Sequence, residues 1–118
     1  TRVTDGGLGH LSALRELRKL ELCLPKISDR GLRHLAGLKK LMRLNLRSTK
    51  IKGGGLKYLT RLPLLRWLNL EKTRIGDGSI KYLVQLPNLK SLVLTDTMVT
   101  RKGKRRIYKK LKSISTIY

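Results

Sequence analysis

Positively charged residues recur at a constant spacing of 24 residues, and this spacing gives the first indication of what the chain binds. One set of equivalent positions holds Arg2, Lys26, Lys50 and Arg74, and a second holds Arg33, Lys57, Lys81 and Arg105. The chain has 28 Lys and Arg against 7 Asp and Glu, a formal net charge of +21. Charge of one sign repels itself and raises the local concentration of oppositely charged ligands. The sequence therefore predicts a polyanionic partner, with nucleic acid the first choice and an anionic membrane the next.

The segment from residue 101 to residue 112 has the densest positive charge in the chain. Solvated helices usually carry charges of alternating sign, whereas this segment carries one sign only. Phosphate-backbone binding fits it best, and a nuclear-import signal or peripheral membrane attachment is an alternative. The predicted nucleic-acid-binding residues of this segment are Arg101, Lys102, Lys104, Arg105, Arg106, Lys109, Lys110 and Lys112. The repeated positions add Lys26, Lys50, Arg74, Arg33, Lys57 and Lys81 to the predicted nucleic-acid-binding residues.

Aromatic and imidazole rings lie next to the second set of cations, at His10, His34, Tyr58 and Tyr82. Such rings can stack on splayed bases while neighbouring cations contact phosphates. They can equally pack sideways between neighbouring helices, and this second interpretation is the one we favour.

Leucines with the same 24-residue period define the elements that would position these residues. Leu20, Leu44, Leu68 and Leu92 are equivalent, as are Leu22, Leu46, Leu70 and Leu94, and the L-x-L spacing has the two-residue period of a strand. The later G-L-x-x-L spacing has the period of a helix with one apolar face. One unit is therefore a short strand followed by a short helix, which buries its apolar side only by stacking on neighbouring units.

The segments T-R-V-T-D-G-G-L (1–8), P-K-I-S-D-R-G-L (25–32) and T-K-I-K-G-G-G-L (49–56) carry a family resemblance. The sequence resembles leucine-rich-repeat proteins of the T-x-I-T-D-x-G-L subtype over roughly residues 1 to 107. The resemblance implies an α/β solenoid with parallel strands on the concave face and short helices on the convex face. Such proteins bind many unrelated partners, so the fold alone does not assign a function.

The repeat pattern weakens towards its end, which suggests a division of the chain. We expect a solenoid of about four units over residues 1–100 and a basic, amphipathic capping segment over residues 101–118. The spacing of Ile107, Leu111, Ile114 and Ile117 predicts one amphipathic helix through this segment.

Two sets of repeated polar residues and one run of glycines have structural explanations. The hydroxyls of Thr1, Thr49, Thr73 and Thr97 are expected to bond loop backbone. Asp5, Asp29 and Asp77 precede the helices and are expected to cap them. The run Gly53–Gly54–Gly55 is interpreted as a turn, with phosphate binding through its N–H groups as a minor alternative.

Residues for catalysis or metal binding do not assemble into a convincing set. His10, His34 and Cys23 do not form a zinc ligand set, and no serine or cysteine has an evident orienting base. We therefore predict a protein that is not an enzyme, with no cofactor, no metal and no small-molecule substrate. The sequence also lacks an apolar run of membrane-spanning length and gives no indication of a homo-oligomer.

Protein ligands of this family usually bind the concave face, where the outward-facing strand residues are of mixed character. The only tryptophan, Trp67, is expected to be exposed there, as an anchor for a partner or as a surface ring without a function. The residues predicted to bind protein are Arg43, Asn45, Arg47, Trp67, Asn69 and Glu71.

Two functions compete on these grounds. The first is a structural, RNA-binding component of a ribonucleoprotein, favoured as a ribosomal or ribosome-associated protein of the mitochondrial matrix that binds rRNA and neighbouring proteins. Nucleus, nucleolus and cytoplasm are alternative locations. The second is a protein–protein interaction adaptor, such as a ubiquitin-ligase-type subunit or an assembly factor, whose concave face binds an acidic partner.

Overall fold

The structure is a computed structural model that describes residues 7–118. The roles predicted for Thr1, Arg2 and Asp5 lie outside the described residues.

Five short strands form a single parallel sheet in chain order. They are β1 (Lys19–Glu21), β2 (Arg43–Asn45), β3 (Trp67–Asn69), β4 (Ser91–Val93) and β5 (Thr116–Ile117). The 24-residue repeat sets the register, because Leu44 pairs with Leu20 on one side and with Leu68 on the other. Each unit thus adds one strand, as the L-x-L spacing predicted.

Short helical segments return the chain from each strand to the next. They are the 3-10 segments Gly7–Ala13, Asp29–Leu35 and Asp77–Ser79 and the α-helices α1 (Leu56–Leu59), α2 (Ile80–Leu83) and α3 (Arg101–Lys110). The buried pairs Leu56 and Leu59 of α1 and Ile80 and Leu83 of α2 each span only one turn, so these helices stay short.

The core lies between the sheet and the helical segments and is almost entirely aliphatic. Leu44, Leu68 and Leu92 of the strands are fully buried, as are Ile51 and Ile75 of the turns. Each such side chain contributes on the order of 1.5–3 kcal/mol relative to an exposed one. Stacking of equivalent leucines therefore supplies most of the stability of this fold.

Leu14 departs from the equivalent leucines of the other repeats. Leu38, Leu62 and Leu86 are buried, but Leu14 is 50% exposed. In a solenoid each unit is covered only by its neighbours, and no described unit stacks on the outer side of the first one.

The end of the chain corrects the prediction of one amphipathic helix reaching Ile117. Helix α3 ends at Lys110, and Leu111 is extended and buried. The chain then turns, and the N–H of Thr116 donates to the carbonyl of Lys90. Pairing of β5 with β4 satisfies backbone groups that the sheet edge would otherwise expose, which a longer helix does not do. The division of the chain at residue 100 stays a prediction.

The aspartates link repeats rather than cap helices, so the capping prediction is wrong for the two that the structure describes. The Asp29 carboxylate accepts hydrogen bonds from the N–H groups of Lys52, Gly53 and Gly55, at 3.1, 3.2 and 3.0 Å. Asp77 likewise accepts from Thr100 in the following unit. Each aspartate occupies the first helical residue, from which its carboxylate reaches the next turn of the solenoid.

These bonds also exclude the alternative interpretation of the glycine run. The N–H groups of Gly53 and Gly55 that a phosphate would use already donate to Asp29. The run is therefore a turn held by a neighbouring carboxylate.

The threonine prediction is confirmed for the described residues. The hydroxyls of Thr49, Thr73 and Thr97 donate to the carbonyls of Leu46, Leu70 and Leu94 at 2.6–2.7 Å. These bonds close the turn after each of three strands.

Candidate binding surfaces

The sheet presents an outward face, here called the sheet face. It is formed by the first and third residues of β1 to β4 and by the residue two positions after each of these strands, such as Arg47 after β2. At its centre Arg43 of β2 lies opposite Trp67 of β3. The Arg43 guanidinium carbon is 4.5 Å from the centroid of the Trp67 ring, within cation–π range. Trp67 is therefore half-buried, where the sequence suggested an exposed ring.

A second contact on the sheet face joins Arg47 and Glu71. The Arg47 Nε is 3.4 Å from a Glu71 carboxylate oxygen, across neighbouring repeats. Both side chains keep solvent contact, so their attraction contributes little to stability. The pair sets opposite charges side by side on an otherwise basic molecule.

Asn45 and Asn69 have a structural role besides the predicted one. Their side-chain carbonyls accept from the backbone N–H groups of Arg47 and Glu71, two residues further on, at 3.1 and 2.9 Å. Asn69 is only 8% exposed. That any of the six predicted residues binds a protein stays a prediction.

Two adjoining hollows lie at the amino-terminal ends of the strands. The larger, of about 380 Å³, and the smaller, of about 280 Å³, share Met42 and Arg66 in their walls. We call the two together the amino-edge trough. Its lining consists of Arg18, Lys19, Met42, Arg43, Leu64, Arg66, Trp67, Asn88 and Lys90.

Most of this lining was absent from the predicted sites. Arg18, Met42, Arg66 and Lys90 are equivalent residues that precede strands β1 to β4. Reading the 24-residue spacing at these positions would have aligned them. The predicted sites lie instead in the helices and turns and within the strands.

Backbone hydrogen bonds hold these four residues in a row. The carbonyl of Arg18 accepts from the N–H groups of both Met42 and Arg43, at 2.8 and 3.0 Å. The carbonyls of Met42 and Arg66 accept in the same way from the next repeat. Neighbouring residues of the row are thus separated by about one strand spacing, roughly 4.8 Å.

The two predicted rows of cations lie in the turns and helical segments, and their side chains are exposed: Lys26, Lys50 and Arg74 in one row, and Arg33, Lys57 and Lys81 in the other. Lys57 and Lys81 lie 5.2 Å from the ring centroids of Tyr58 and Tyr82. Both tyrosines are half-buried against the core. This agrees with packing rather than with open rings for base stacking.

The basic segment extends over α3 and its continuation. Arg101, Lys102, Arg105, Arg106, Lys109, Lys110 and Lys112 are exposed, and Lys104 is half-buried. Among the described residues two side-chain ion pairs occur, Lys40–Glu16 and Arg47–Glu71, and neither involves this segment.

An aspartate lies at the beginning of α3. Hydrogen bonds from the Thr100 side chain and backbone, with a smaller effect of Arg106, hold the pKa of Asp77 below its ordinary value. Thr100 in turn caps α3, because its hydroxyl accepts from the Gly103 N–H at 3.0 Å. Asp77 thus supports the helix that carries the basic segment.

Cys23 lies near the edge of the sheet face and is exposed. Partial burial and the charge of Glu21 raise the pKa of its thiol. A raised pKa lowers the thiolate fraction on which nucleophilic attack depends.

Within residues 7–118 we find no group of His, Cys, Asp and Glu that could hold a metal ion. The helices in the same part of the chain are too short or too polar to cross a membrane.

Comparison with known proteins provides structural neighbours only. No protein-family model matches the sequence, and no curated protein matches it. An internalin of Listeria monocytogenes has a TM-score of 0.58 at 21% identity, and internalin C2 of the same organism 0.61 at 20%. A leucine-rich-repeat protein of Leptospira interrogans has a TM-score of 0.51 at 20% identity.

The matches cover 92%, 93% and 92% of this chain but 36%, 54% and 38% of the three neighbours, in the same order. The chain thus spans about a third to a half of their length.

The stacked units of strand and helical turn define a parallel-sheet solenoid. More specifically, this chain has the leucine-rich-repeat fold, as the leucine spacing predicted.

Proposed function

We propose that the chain is a non-enzymatic interaction protein whose sheet face binds an acidic region of a partner protein. The observation that carries the proposal is the Arg43–Trp67 pair at the centre of the sheet, with the amino-edge trough beside it. Tryptophan and arginine are the residues most enriched among those that dominate binding energy at interfaces. Here the two are in contact on a rigid sheet.

The charge of the molecule supports an acidic partner. A formal net charge of +21 attracts polyanions and speeds their association, and this attraction weakens as salt increases. Glu21 and Glu71 add acidic positions to the sheet face, and these favour a partner with a definite arrangement of charges over one with uniform charge. An adaptor or assembly factor is the role that such a surface serves.

Trp67 makes the proposal directly testable, because its ring lies against Arg43 on the sheet face and its fluorescence responds to binding there. It is the only tryptophan in the chain. We expect a glutamate homopolymer to change the Trp67 emission in a saturable manner at an ionic strength of about 0.1 M. Arg43→Gln and Arg47→Gln should each weaken this binding, by about threefold to tenfold, since both remove a cation from the face.

The matched control is Lys81→Gln, which removes an exposed cation on the helix side. It should change the affinity by less than about twofold, because charges separated by more than a Debye length of about 10 Å are screened. Equal effects of Lys81→Gln and Arg43→Gln would mean that the homopolymer responds to net charge only, and the proposal would be wrong.

A second candidate function is binding of a nucleic-acid backbone by α3 and its continuation. It is favoured by the exposed cations from Arg101 to Lys112, which take part in none of the ion pairs of the described residues. Under this proposal the chain is a ribonucleoprotein component, and a ribosome-associated protein of the mitochondrial matrix is the form we favour.

Salt dependence tests the second candidate. Binding to single-stranded RNA should lose affinity with a log–log slope of about −0.7 per phosphate contact. Arg105→Glu combined with Lys109→Glu should flatten this slope and weaken binding without sequence preference. A shallow slope that the double variant leaves unchanged would rule this candidate out, and co-sedimentation with ribosomes tests the proposed location separately.

A further inference from the structure

The amino-edge trough combines two kinds of lining that suit one kind of ligand. Met42, Leu64 and Trp67 supply apolar surface, and Leu64 is 45% exposed despite its size. Arg18, Lys19, Arg43, Arg66 and Lys90 supply positive charge. No acidic residue is among the described residues that line either hollow. The trough therefore suits a ligand with both anionic groups and an apolar group.

The two hollows are open to solvent and have room for a side chain with flanking backbone. The larger hollow, of about 380 Å³, lies at the lower end of the roughly 300–1,000 Å³ typical of ligand sites. The smaller hollow adjoins it across Met42 and Arg66. An extended segment running along the row would place one apolar side chain beside Met42 and acidic side chains near Arg18 and Arg66.

The row is rigid before any ligand binds. The carbonyls of Arg18, Met42 and Arg66 each accept two N–H groups of the next repeat, so the positions of the Cα atoms are determined by the sheet. A preformed arrangement avoids part of the ordering cost of binding. The exposed arginine side chains remain free to adjust to carboxylates, which they bind in a bidentate manner.

The aromatic content of the trough argues against a nucleic-acid strand as its occupant. Single strands bind through aromatic rings on which successive bases stack. Trp67 is the one aromatic residue in the described lining, and the Arg43 guanidinium covers a face of its ring at 4.5 Å. Met42 and Leu64 offer aliphatic contacts, which suit a hydrophobic side chain.

We propose that the amino-edge trough binds an acidic polypeptide segment that carries an apolar side chain between its carboxylates. The proposal rests on the proposed function, because it specifies which part of an acidic partner binds and where. It adds Arg18, Met42, Leu64, Arg66 and Lys90 to the binding residues.

The test uses a fluorescein-labelled peptide with one phenylalanine flanked by glutamates on both sides, measured by anisotropy with the full chain. A second peptide has serine in place of phenylalanine. We expect the serine peptide to bind about tenfold more weakly, since it loses the burial of an aromatic side chain. Binding of the phenylalanine peptide should also shift the Trp67 emission.

Substitutions locate the site. Arg66→Glu should weaken binding of the phenylalanine peptide by about tenfold or more, and Leu64→Ser should weaken it by about threefold. Two exposed residues outside the trough provide matched controls: Arg74→Glu makes the same charge change, and Met98→Ser removes an apolar side chain that is 70% exposed. Both control variants should bind the phenylalanine peptide with an affinity within about threefold of that of the unmodified protein. The circular dichroism of all four variants should be unchanged.

The possible results separate this proposal from the proposed function. If Arg47→Gln weakens the peptide but Arg66→Glu does not, the sheet face binds acidic ligands and the trough proposal is overturned. If neither substitution weakens peptide binding, both the proposed function and the trough proposal are wrong. Equal affinity for the serine and phenylalanine peptides also overturns the trough proposal. If Arg66→Glu loses binding to the single-stranded RNA poly(U) but keeps peptide binding, the trough binds nucleic acid and the proposal is likewise overturned.

Discussion

Asp77 and Thr100 are joined by two hydrogen bonds between consecutive repeats. The Thr100 N–H donates to one carboxylate oxygen at 2.9 Å and the Thr100 hydroxyl donates to the other at 2.6 Å. The same hydroxyl accepts from Gly103 inside α3. An acidic residue of one unit thus positions the capping residue of the next unit's helix.

Stability should depend on pH through Asp77. Its folded-state pKa is lowered by Thr100, so the stabilisation is complete above the ordinary value of 3.8 and is lost as pH falls through the lower folded pKa. Urea unfolding followed across this acidic range should show a decline that is smaller in Asp77→Asn. Identical pH dependence of the two proteins would contradict this role.

Removing the carboxylate of Asp29 should destabilise the solenoid. Asp29→Ala leaves the N–H groups of Lys52, Gly53 and Gly55 without their acceptor, at a cost of about 1–3 kcal/mol for each that stays unsatisfied. Asp29→Asn keeps one acceptor oxygen and should lose less. Chemical denaturation measures both, and a smaller loss in the alanine variant than in the asparagine variant would refute the assignment.

A methyl group at Gly55 should not be tolerated without a shift of the backbone. Its Cβ would lie 2.7 Å from the Asp29 carbonyl oxygen and 2.8 Å from the Asp29 Cα. We expect Gly55→Ala to cost about 1–3 kcal/mol of unfolding free energy. The neighbouring Gly54→Ala is the control, because its Cβ would meet nothing within 4 Å. Thermal unfolding should separate the two, and equal melting temperatures would disprove the close approach.

The same substitution should have unequal effects at two equivalent leucines. Leu62 is fully buried, so Leu62→Ala should cost about 2–5 kcal/mol. Leu14 is 50% exposed, so Leu14→Ala should cost well under about 2 kcal/mol. Denaturant titration of the two variants tests this comparison, and similar losses would mean that Leu14 is covered in solution.

The sequence by itself determined the repeat and therefore most of the fold. Strand and helix periods are local properties of the chain, so the positions of Leu44, Leu68 and Leu92 in the core followed from spacing alone. The hydroxyl bonds of Thr49, Thr73 and Thr97 were predictable for the same reason, because they span three residues.

Only the tertiary structure decided which groups of neighbouring repeats meet. Asp29 looked like a helix cap, but stacking brought its carboxylate to the Gly53–Gly55 turn, and Arg43 was brought over Trp67 in the same way. The extended Leu111 and the pairing of β5 depended on an open edge of β4, and the trough depended on residues preceding four different strands. A one-dimensional period states which residues are equivalent, whereas contacts between units depend on how those units pack in space.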